Sequence, residues 1–201
     1  MLIVGLTGPS GAGKARFCAA ASEFEGVVSI DTDLIARSVV QKGEPCLKEL
    51  CEAFGERILN PDGTLDRSAL ASIAFSDEKK HGELNRITHK YILNDVRALL
   101  EKAKKDGVKM CIIDAPLLFE SGADRMCDVS VAAVAEYSAR LRRIMNRDGI
   151  SEKQAKTRMD AQPNEEFYRR KCSYVIENNG SDREMLIKSA RLIRSLLGVQ
   201  N

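Results

Sequence analysis

The chain has 201 residues, of which 44% are hydrophobic and 30% are charged, a composition typical of a globular protein that buries a core. This composition, with 14 Gly and 5 Pro, excludes disordered, collagen-like and low-complexity chains. Lys and Arg total 31 against 29 Asp and Glu, a formal net charge of +2, so we expect neither a nucleic-acid nor a membrane partner.

The cysteines and the N-terminal segment indicate the compartment. Six cysteines show no C-x-x-C spacing and there are only two His, which disfavours a zinc site and favours a reducing compartment. The apolar run Leu2–Leu6 is too short for a signal peptide or a membrane span. We therefore expect a cytoplasmic protein.

Five short apolar runs alternate with helical patterns along the chain. They predict strands at Leu2–Leu6, Val27–Ile30, Lys109–Ile113, Val129–Val134 and Tyr174–Ile176. Their hydrophobicity is continuous, which is typical of parallel strands covered on both faces. The sequence thus predicts an α/β fold, a five-stranded parallel sheet flanked by helices.

The connections between these strands differ greatly in length. About eighty residues separate the second and third strands, more than one crossover helix requires, so we predict a helical lobe over residues 34–107. A second excursion, residues 136–171, carries seven Arg and three Lys against six acidic residues. The chain is predicted to be one domain, 1–201, with its core at residues 1–33, 108–135 and 172–201.

A phosphate-binding pattern follows the first predicted strand. Residues 8–14, Gly-Pro-Ser-Gly-Ala-Gly-Lys, fit G-x-x-x-x-G-K and precede a helical stretch. Backbone N–H groups and the helix N-terminus would cradle the phosphates of ATP, and Lys14 would reach the terminal ones. The alternative is a glycine-rich turn between strand and helix. The predicted ATP-binding residues are Gly8, Gly11, Ala12, Gly13, Lys14, Ala15 and Arg16.

The pattern departs from its usual form directly after Lys14. Ser or Thr normally stands there and binds Mg²⁺ through its hydroxyl, whereas this chain has Ala15. Phosphate oxygens, water and a carboxylate can still hold Mg²⁺. We therefore expect weakened metal support at a retained site, and a nucleotide-binding regulator that has lost catalysis is the alternative.

Carboxylates follow two of the predicted strands, at the edge where open α/β sheets bind ligands. Asp33 could orient or deprotonate an attacking hydroxyl, or it could cap the helix beginning at Leu34. Asp114 resembles a Walker B carboxylate near Mg²⁺, or it is a turn residue. His89 lies in a helical stretch, where a structural role and a ligand contact are both open.

Two arginines of the second excursion, Arg143 and Arg147, stand four residues apart and share one face of a predicted helix. A pair of forked guanidinium groups suits a polyphosphate. A solvated charged face is the alternative.

Taken in order, these motifs resemble the dephospho-coenzyme A kinase family nearly end to end. Segments similar to that family are residues 5–14, 30–36, 54–55, 62–67, 84–89, 114–120 and 174–180, with Arg143, Arg147, Asp148, Arg158 and Gln162 of its lid. Besides Ala15, one residue departs from the family pattern, because Lys90 replaces the Pro that commonly follows the His.

The resemblance implies a P-loop fold like that of nucleoside monophosphate kinases, with a substrate lobe at residues 34–107 and an Arg-rich lid at residues 136–171. It implies ATP-dependent phosphorylation of the ribose 3′-hydroxyl of dephospho-coenzyme A, the last step of coenzyme A biosynthesis. Another small P-loop nucleoside or nucleotide kinase is the alternative. The expected small-molecule partners are ATP and dephospho-coenzyme A, and the expected protein is a monomer or a small homo-oligomer.

The family pattern also implies roles for individual residues. Asp33 would accept the hydroxyl proton or orient the hydroxyl, and Lys14 would bridge the β- and γ-phosphates. Arg147, with Arg143, would neutralise charge on the transferred group. The predicted substrate-binding residues are Asp33, His89 and Asp114, and Asp114 is the predicted Mg²⁺ ligand.

Overall fold

The computed structural model describes residues 1–198, so residues 199–201 of the predicted core lie outside it. The strands are β1 Leu2–Thr7, β2 Val27–Asp31, β3 Met110–Asp114, β4 Val129–Val134 and β5 Tyr174–Glu177. The helices are α1 Lys14–Ala21, α2 Thr32–Ser38, α3 Pro45–Phe54, α4 Arg67–Ala74, α5 Glu78–Lys105, α6 Tyr137–Asp148, α7 Glu152–Asp160, α8 Glu165–Lys171 and α9 Asp182–Leu196, with short 3₁₀ turns at Glu56–Ile58 and Ala123–Met126.

The strands form one five-stranded sheet in the order β2-β3-β1-β4-β5. The registers that join β1 to β3, β1 to β4 and β4 to β5 are parallel. The prediction of a five-stranded parallel sheet flanked by helices is therefore confirmed. Some strands extend one residue beyond the predicted apolar runs; for example, β1 reaches Thr7 and β5 reaches Glu177.

Residues 1–30 and 102–198 form one compact unit. Its core lies where α1 and α9 pack on the sheet, and Leu6, Phe17, Ile112 and Ile193 are fully buried there. Strands covered in this way need continuous apolar runs, which explains the pattern in the sequence. Helix α9 begins at a capping box: the Ser181 side chain accepts from the Glu184 N–H, and the Glu184 carboxylate accepts from the Ser181 N–H.

Residues 31–101 form a second compact unit that contains α2, α3, α4 and most of α5. Its core includes the fully buried Leu50, Ile58 and Ile87. Within α5, Leu100 is buried, whereas the neighbouring Leu99 is 41% exposed. The helical content expected for residues 34–107 is present, and the division into core, lobe and lid stays a prediction.

Among residues 1–198, no helix is both long and apolar enough to cross a bilayer.

Candidate nucleotide-binding site

The phosphate-binding pattern forms the loop between β1 and α1. Gly13 precedes α1 with φ of 107°, and a Cβ there would collide with the side-chain amide of Asn178, so the position requires glycine. Lys14 is the first residue of α1, and its Nζ donates to the carbonyl oxygen of Gly8 at 3.1 Å. The ammonium group therefore lies over the loop.

Three consecutive loop carbonyls accept hydrogen bonds from side chains that lie far away in the chain. Arg140 Nε donates to Ser10 O at 2.9 Å. Arg143 Nη1 donates to Gly11 O at 3.2 Å. Asn178 Nδ2 donates to Ala12 O at 3.0 Å. We call Arg140, Arg143 and Asn178 the loop clamp.

The loop clamp fixes the direction of the loop N–H groups. In a trans peptide the N–H of the next residue points opposite to the carbonyl, so the N–H groups of Gly11, Ala12 and Gly13 point away from the clamp. That of Ala12 bonds to Pro9 O at 3.2 Å. Backbone N–H groups turned to one side of such a loop, with a helix N-terminus behind them, form an anion-binding concavity.

Asn178 and Arg143 also bond to each other. Arg143 Nη2 donates to the carbonyl oxygen of Asn178 at 3.0 Å and to its Oδ1 at 3.3 Å. Asn178 is 2% exposed, and its N–H donates to Val134 O at 2.8 Å. The chain segment after β5, helix α6 and the phosphate loop thus share one hydrogen-bonded network.

Sequence reasoning missed two members of the loop clamp. Arg140 was counted only within a basic segment, and Asn178 only within a stretch resembling the family's last strand. Arg143 was expected beside the transferred phosphoryl group, and the structure places its guanidinium against the backbone carbonyls of Gly11 and Asn178. Nothing local in the sequence links these residues to the loop.

Arg147 and Arg158 meet at one carboxylate at the end of α6. Arg147 donates to Asp148 from Nε at 2.7 Å and from Nη2 at 2.9 Å. Arg158 forms an ion pair with the same carboxylate. The hydrogen bonds from Arg147 hold the pKa of Asp148 below its usual range. Both guanidinium groups remain half-exposed, so they can exchange this partner for another anion.

The residues next to Lys14 have different surroundings. Ala15 lies exposed in the first turn of α1 and offers only a methyl group. Arg16, predicted to bind ATP, forms an exposed ion pair with Asp182 at the start of α9. Its guanidinium is therefore engaged at the neighbouring helix.

Asp114 lies where β3 ends, next to β1 in the sheet. Its Oδ2 is 3.8 Å from Cys18 Sγ, one turn into α1 beyond Lys14. Asp114 as a whole is half-buried, and a carboxylate oxygen at this place is a donor that Mg²⁺ favours. Residues 1–198 contain no group of three or more His, Cys, Asp or Glu side chains that could hold a metal by themselves. The donor set therefore fits a metal held mainly by phosphate oxygens and water.

The second unit carries Asp33 and His89. Asp33 lies exposed in the first turn of α2, and it is Asp31 that caps this helix, with Oδ1 accepting from the N–H groups of Asp33 and Leu34 at 2.8 and 3.1 Å. The alternative of Asp33 as the cap is wrong, because the helix begins at Thr32 and not at Leu34. His89 is half-buried within α5.

A cavity of about 540 Å³ lies on the second unit between α3 and α5. Glu49 lines it and accepts hydrogen bonds from Lys90 Nζ and from Tyr91 OH, each at 2.7 Å. The residue that departs from the family pattern, Lys90, thus bonds across to α3 from an uninterrupted helix α5.

Comparison with known proteins identifies the family. The family model described as dephospho-CoA kinase matches residues 2–184. A dephospho-CoA kinase of Corynebacterium glutamicum is 37% identical over 201 residues, covering 100% of both chains.

Solved structures agree with this match. A dephospho-CoA kinase from Campylobacter jejuni has a TM-score of 0.72 at 25% identity and covers 98% of this chain and 97% of its own. A shikimate kinase from Bacteroides thetaiotaomicron, with a TM-score of 0.57 at 14% identity over 98% of each chain, shares the fold alone. The family match covers nearly the whole chain and the phosphate loop has the geometry such kinases require: the chain belongs to the dephospho-CoA kinase family.

Proposed function

We propose that this protein transfers the γ-phosphoryl group of ATP to the ribose 3′-hydroxyl of dephospho-coenzyme A, giving coenzyme A and ADP in the last step of coenzyme A biosynthesis. Family membership over residues 2–184 supports the acceptor. The clamped phosphate loop is the observation that carries ATP use. Neither another small P-loop kinase nor an inactive regulator is favoured, since full-length relatives are dephospho-CoA kinases.

The loop would bind the phosphates of ATP through backbone N–H groups and Lys14. The N–H groups of Gly11 and Gly13 point away from the clamp, and Lys14 Nζ lies over the loop. In phosphoryl transfer the protein contributes mainly by positioning the reactants and stabilising the negative charge of the phosphates, and little by covalent chemistry. Fixed donors of this kind supply both without reorganisation during the reaction.

Mg²⁺ would be held by phosphate oxygens, water and Asp114. Ala15 supplies no hydroxyl, so Asp114 is the protein's own oxygen donor that we assign to this metal. The bound ion would neutralise charge on the β- and γ-phosphates.

Asp33 is the residue we assign to the acceptor hydroxyl. The cap formed by Asp31 engages the backbone of Asp33 and leaves the Asp33 carboxylate exposed. A carboxylate of this kind can orient the hydroxyl and accept its proton. His89 and Asp114 are proposed to contribute to acceptor binding.

The arginines of the predicted lid have separate proposed roles. Arg147 is half-exposed and would meet the transferred group, while Arg143 would act through the loop that it holds. The cytoplasmic location, the lack of a nucleic-acid partner and the state of monomer or small homo-oligomer stay predictions from the sequence.

An assay of ADP release tests the assignment of the acceptor. Dephospho-coenzyme A, adenosine and nucleoside monophosphates are compared side by side at fixed Mg·ATP. We expect dephospho-coenzyme A to be phosphorylated far faster than the others. A faster rate with a nucleoside monophosphate would refute the assignment.

A further inference from the structure

We infer that Arg140 is a positioning residue of the ATP site, which sets the peptide between Ser10 and Gly11 through its bond to the Ser10 carbonyl. This inference rests on the proposed function only in taking ATP as the ligand of the loop.

Both backbone polar groups of Ser10 are bonded by side chains of residues 136–171. Arg140 Nε donates to the Ser10 carbonyl oxygen at 2.9 Å. The Ser10 N–H donates to Gln162 Oε1, also at 2.9 Å. Arg140 lies on α6, and Gln162 lies between α7 and α8. The Arg-rich segment therefore determines how the first half of the phosphate loop is oriented.

Helix α6 also touches the loop directly. Gly11 has φ of 77°, and a Cβ there would lie 2.8 Å from the carbonyl oxygen of Arg140. Real Cβ atoms do not approach so closely, so the loop lies against the backbone of α6 with no space between them. Rotation of the peptide between Ser10 and Gly11 would break the Arg140 bond and turn the Gly11 N–H away from the phosphates.

Burial makes Arg140 a costly residue. It is 6% exposed, and its Nη2 has no hydrogen-bond partner among residues 1–198. Burial also lowers the pKa of its guanidinium. Burying a cation with an open donor costs desolvation free energy, which one hydrogen bond to a carbonyl offsets only in part. Stabilisation of the fold therefore does not account for Arg140, whereas orientation of the loop does.

Two substitutions separate the hydrogen bond from the charge. In Arg140→Gln, the side-chain nitrogen Nε2 stands the same number of bonds from the backbone as Arg Nε, so it can donate to Ser10. In Arg140→Met, a methyl group takes that place and donates nothing. Both variants remove the guanidinium charge and its unpartnered Nη2. Arg142→Met, exposed on the same helix, is the control.

Affinity for Mg·ATP is measured calorimetrically without any acceptor, together with the melting temperature of the apo-protein. We expect Arg140→Met to weaken ATP binding about tenfold, the size of one hydrogen bond to a charged group. Arg140→Gln should weaken it by less than about threefold. Both should melt within about 3 °C of the unaltered protein or above it, and Arg142→Met should match the unaltered protein in affinity.

Three results would overturn the inference. Equal losses in the Gln and Met variants would assign the effect to charge. Unchanged ATP affinity in both variants would show that the Arg140–Ser10 hydrogen bond does not position the loop for ATP. A large fall in the melting temperature of Arg140→Met would make the residue structural. Because no acceptor is present, failure of dephospho-coenzyme A as a substrate leaves these outcomes intact, whereas lack of ATP binding by the unaltered protein would contradict both proposals.

Discussion

Asp31 caps the helix whose first turn contains Asp33: its Oδ1 accepts the Asp33 N–H at 2.8 Å. These two carboxylates, two residues apart, therefore differ in their surroundings. The carboxylate of Asp31 caps α2, whereas Asp33 is exposed to solvent. This division makes it possible to test the proposed base separately from the helix cap.

Replacing Asp33 with Asn should abolish most of the activity without affecting the fold. Asp33→Asn keeps the shape of the side chain but removes its basicity, so turnover should fall on the order of 10²-fold or more. The melting temperature should hardly change, since the cap belongs to Asp31. Steady-state kinetics and thermal unfolding measure the two effects.

Asp31→Asn is the matched control, because Asn caps helices about as well as Asp. It should retain much more turnover than Asp33→Asn. Similar turnover in the two variants, both folded, would remove Asp33 from the role of base.

Arg147→Lys should lower turnover more than it weakens ATP binding. Lys keeps the positive charge but loses the planar fork with which Arg147 now contacts both oxygens of Asp148. An interaction that forms mainly in the transition state appears in kcat and not in affinity. Arg142→Lys is the control, and equal mild effects at both positions would indicate a solvated charged face.

Asn178→Asp should weaken ATP binding and lower stability together. The change replaces the amide that donates to Ala12 O with a carboxylate oxygen, which repels that carbonyl and leaves it unsatisfied. The expected cost is about 1–3 kcal/mol of unfolding free energy. Chemical denaturation and ATP titration measure it.

Asn179→Asp is the control for this change. Asn179 uses its side-chain oxygen to accept from Glu136 N–H, a bond that Asp can also make. Equal effects of the two substitutions would mean that added negative charge, and not the lost amide donor, causes the defect.

Much of this fold follows from patterns that are local in the chain. Continuous apolar runs predict the five strands, and G-x-x-x-x-G-K between a strand and a helix predicts the phosphate loop. The loop clamp did not follow, because Arg140 and Asn178 bond to residues 130 and 166 positions away.

Stability of the second unit should depend on pH through Glu49. Hydrogen bonds from Lys90 and then Tyr91 hold the pKa of the Glu49 carboxyl below its usual range. A group with a depressed folded pKa contributes stability above its unfolded pKa, and that stability is lost as pH falls through the folded pKa. Glu49→Gln should therefore lower the urea midpoint at pH about 7, and the difference should vanish well below pH about 4.3.

Tyr91→Phe removes one of the two bonds to Glu49 and is the companion variant. It should give a smaller difference with the same pH dependence. A difference for Glu49→Gln that is as large in acid as at neutral pH would assign the effect to packing.

Ala15→Ser should restore the missing metal ligand. A hydroxyl in the first turn of α1 would join Asp114, phosphate oxygens and water around Mg²⁺. The Mg²⁺ concentration for half-maximal activity should fall and turnover should rise. Apo-protein stability should change little, since the position is exposed. Superimposable Mg²⁺ titrations of the two proteins would show that water already replaces the ligand.

The most direct test of the account is identification of the product. Purified protein is incubated with Mg·ATP and dephospho-coenzyme A, and the nucleotide products are separated and their phosphate positions determined by ³¹P NMR. We predict one coenzyme A, phosphorylated at the ribose 3′-hydroxyl, for each ADP formed, and almost none with Asp33→Asn. ADP formed without coenzyme A, or a phosphate at another hydroxyl, would contradict the account.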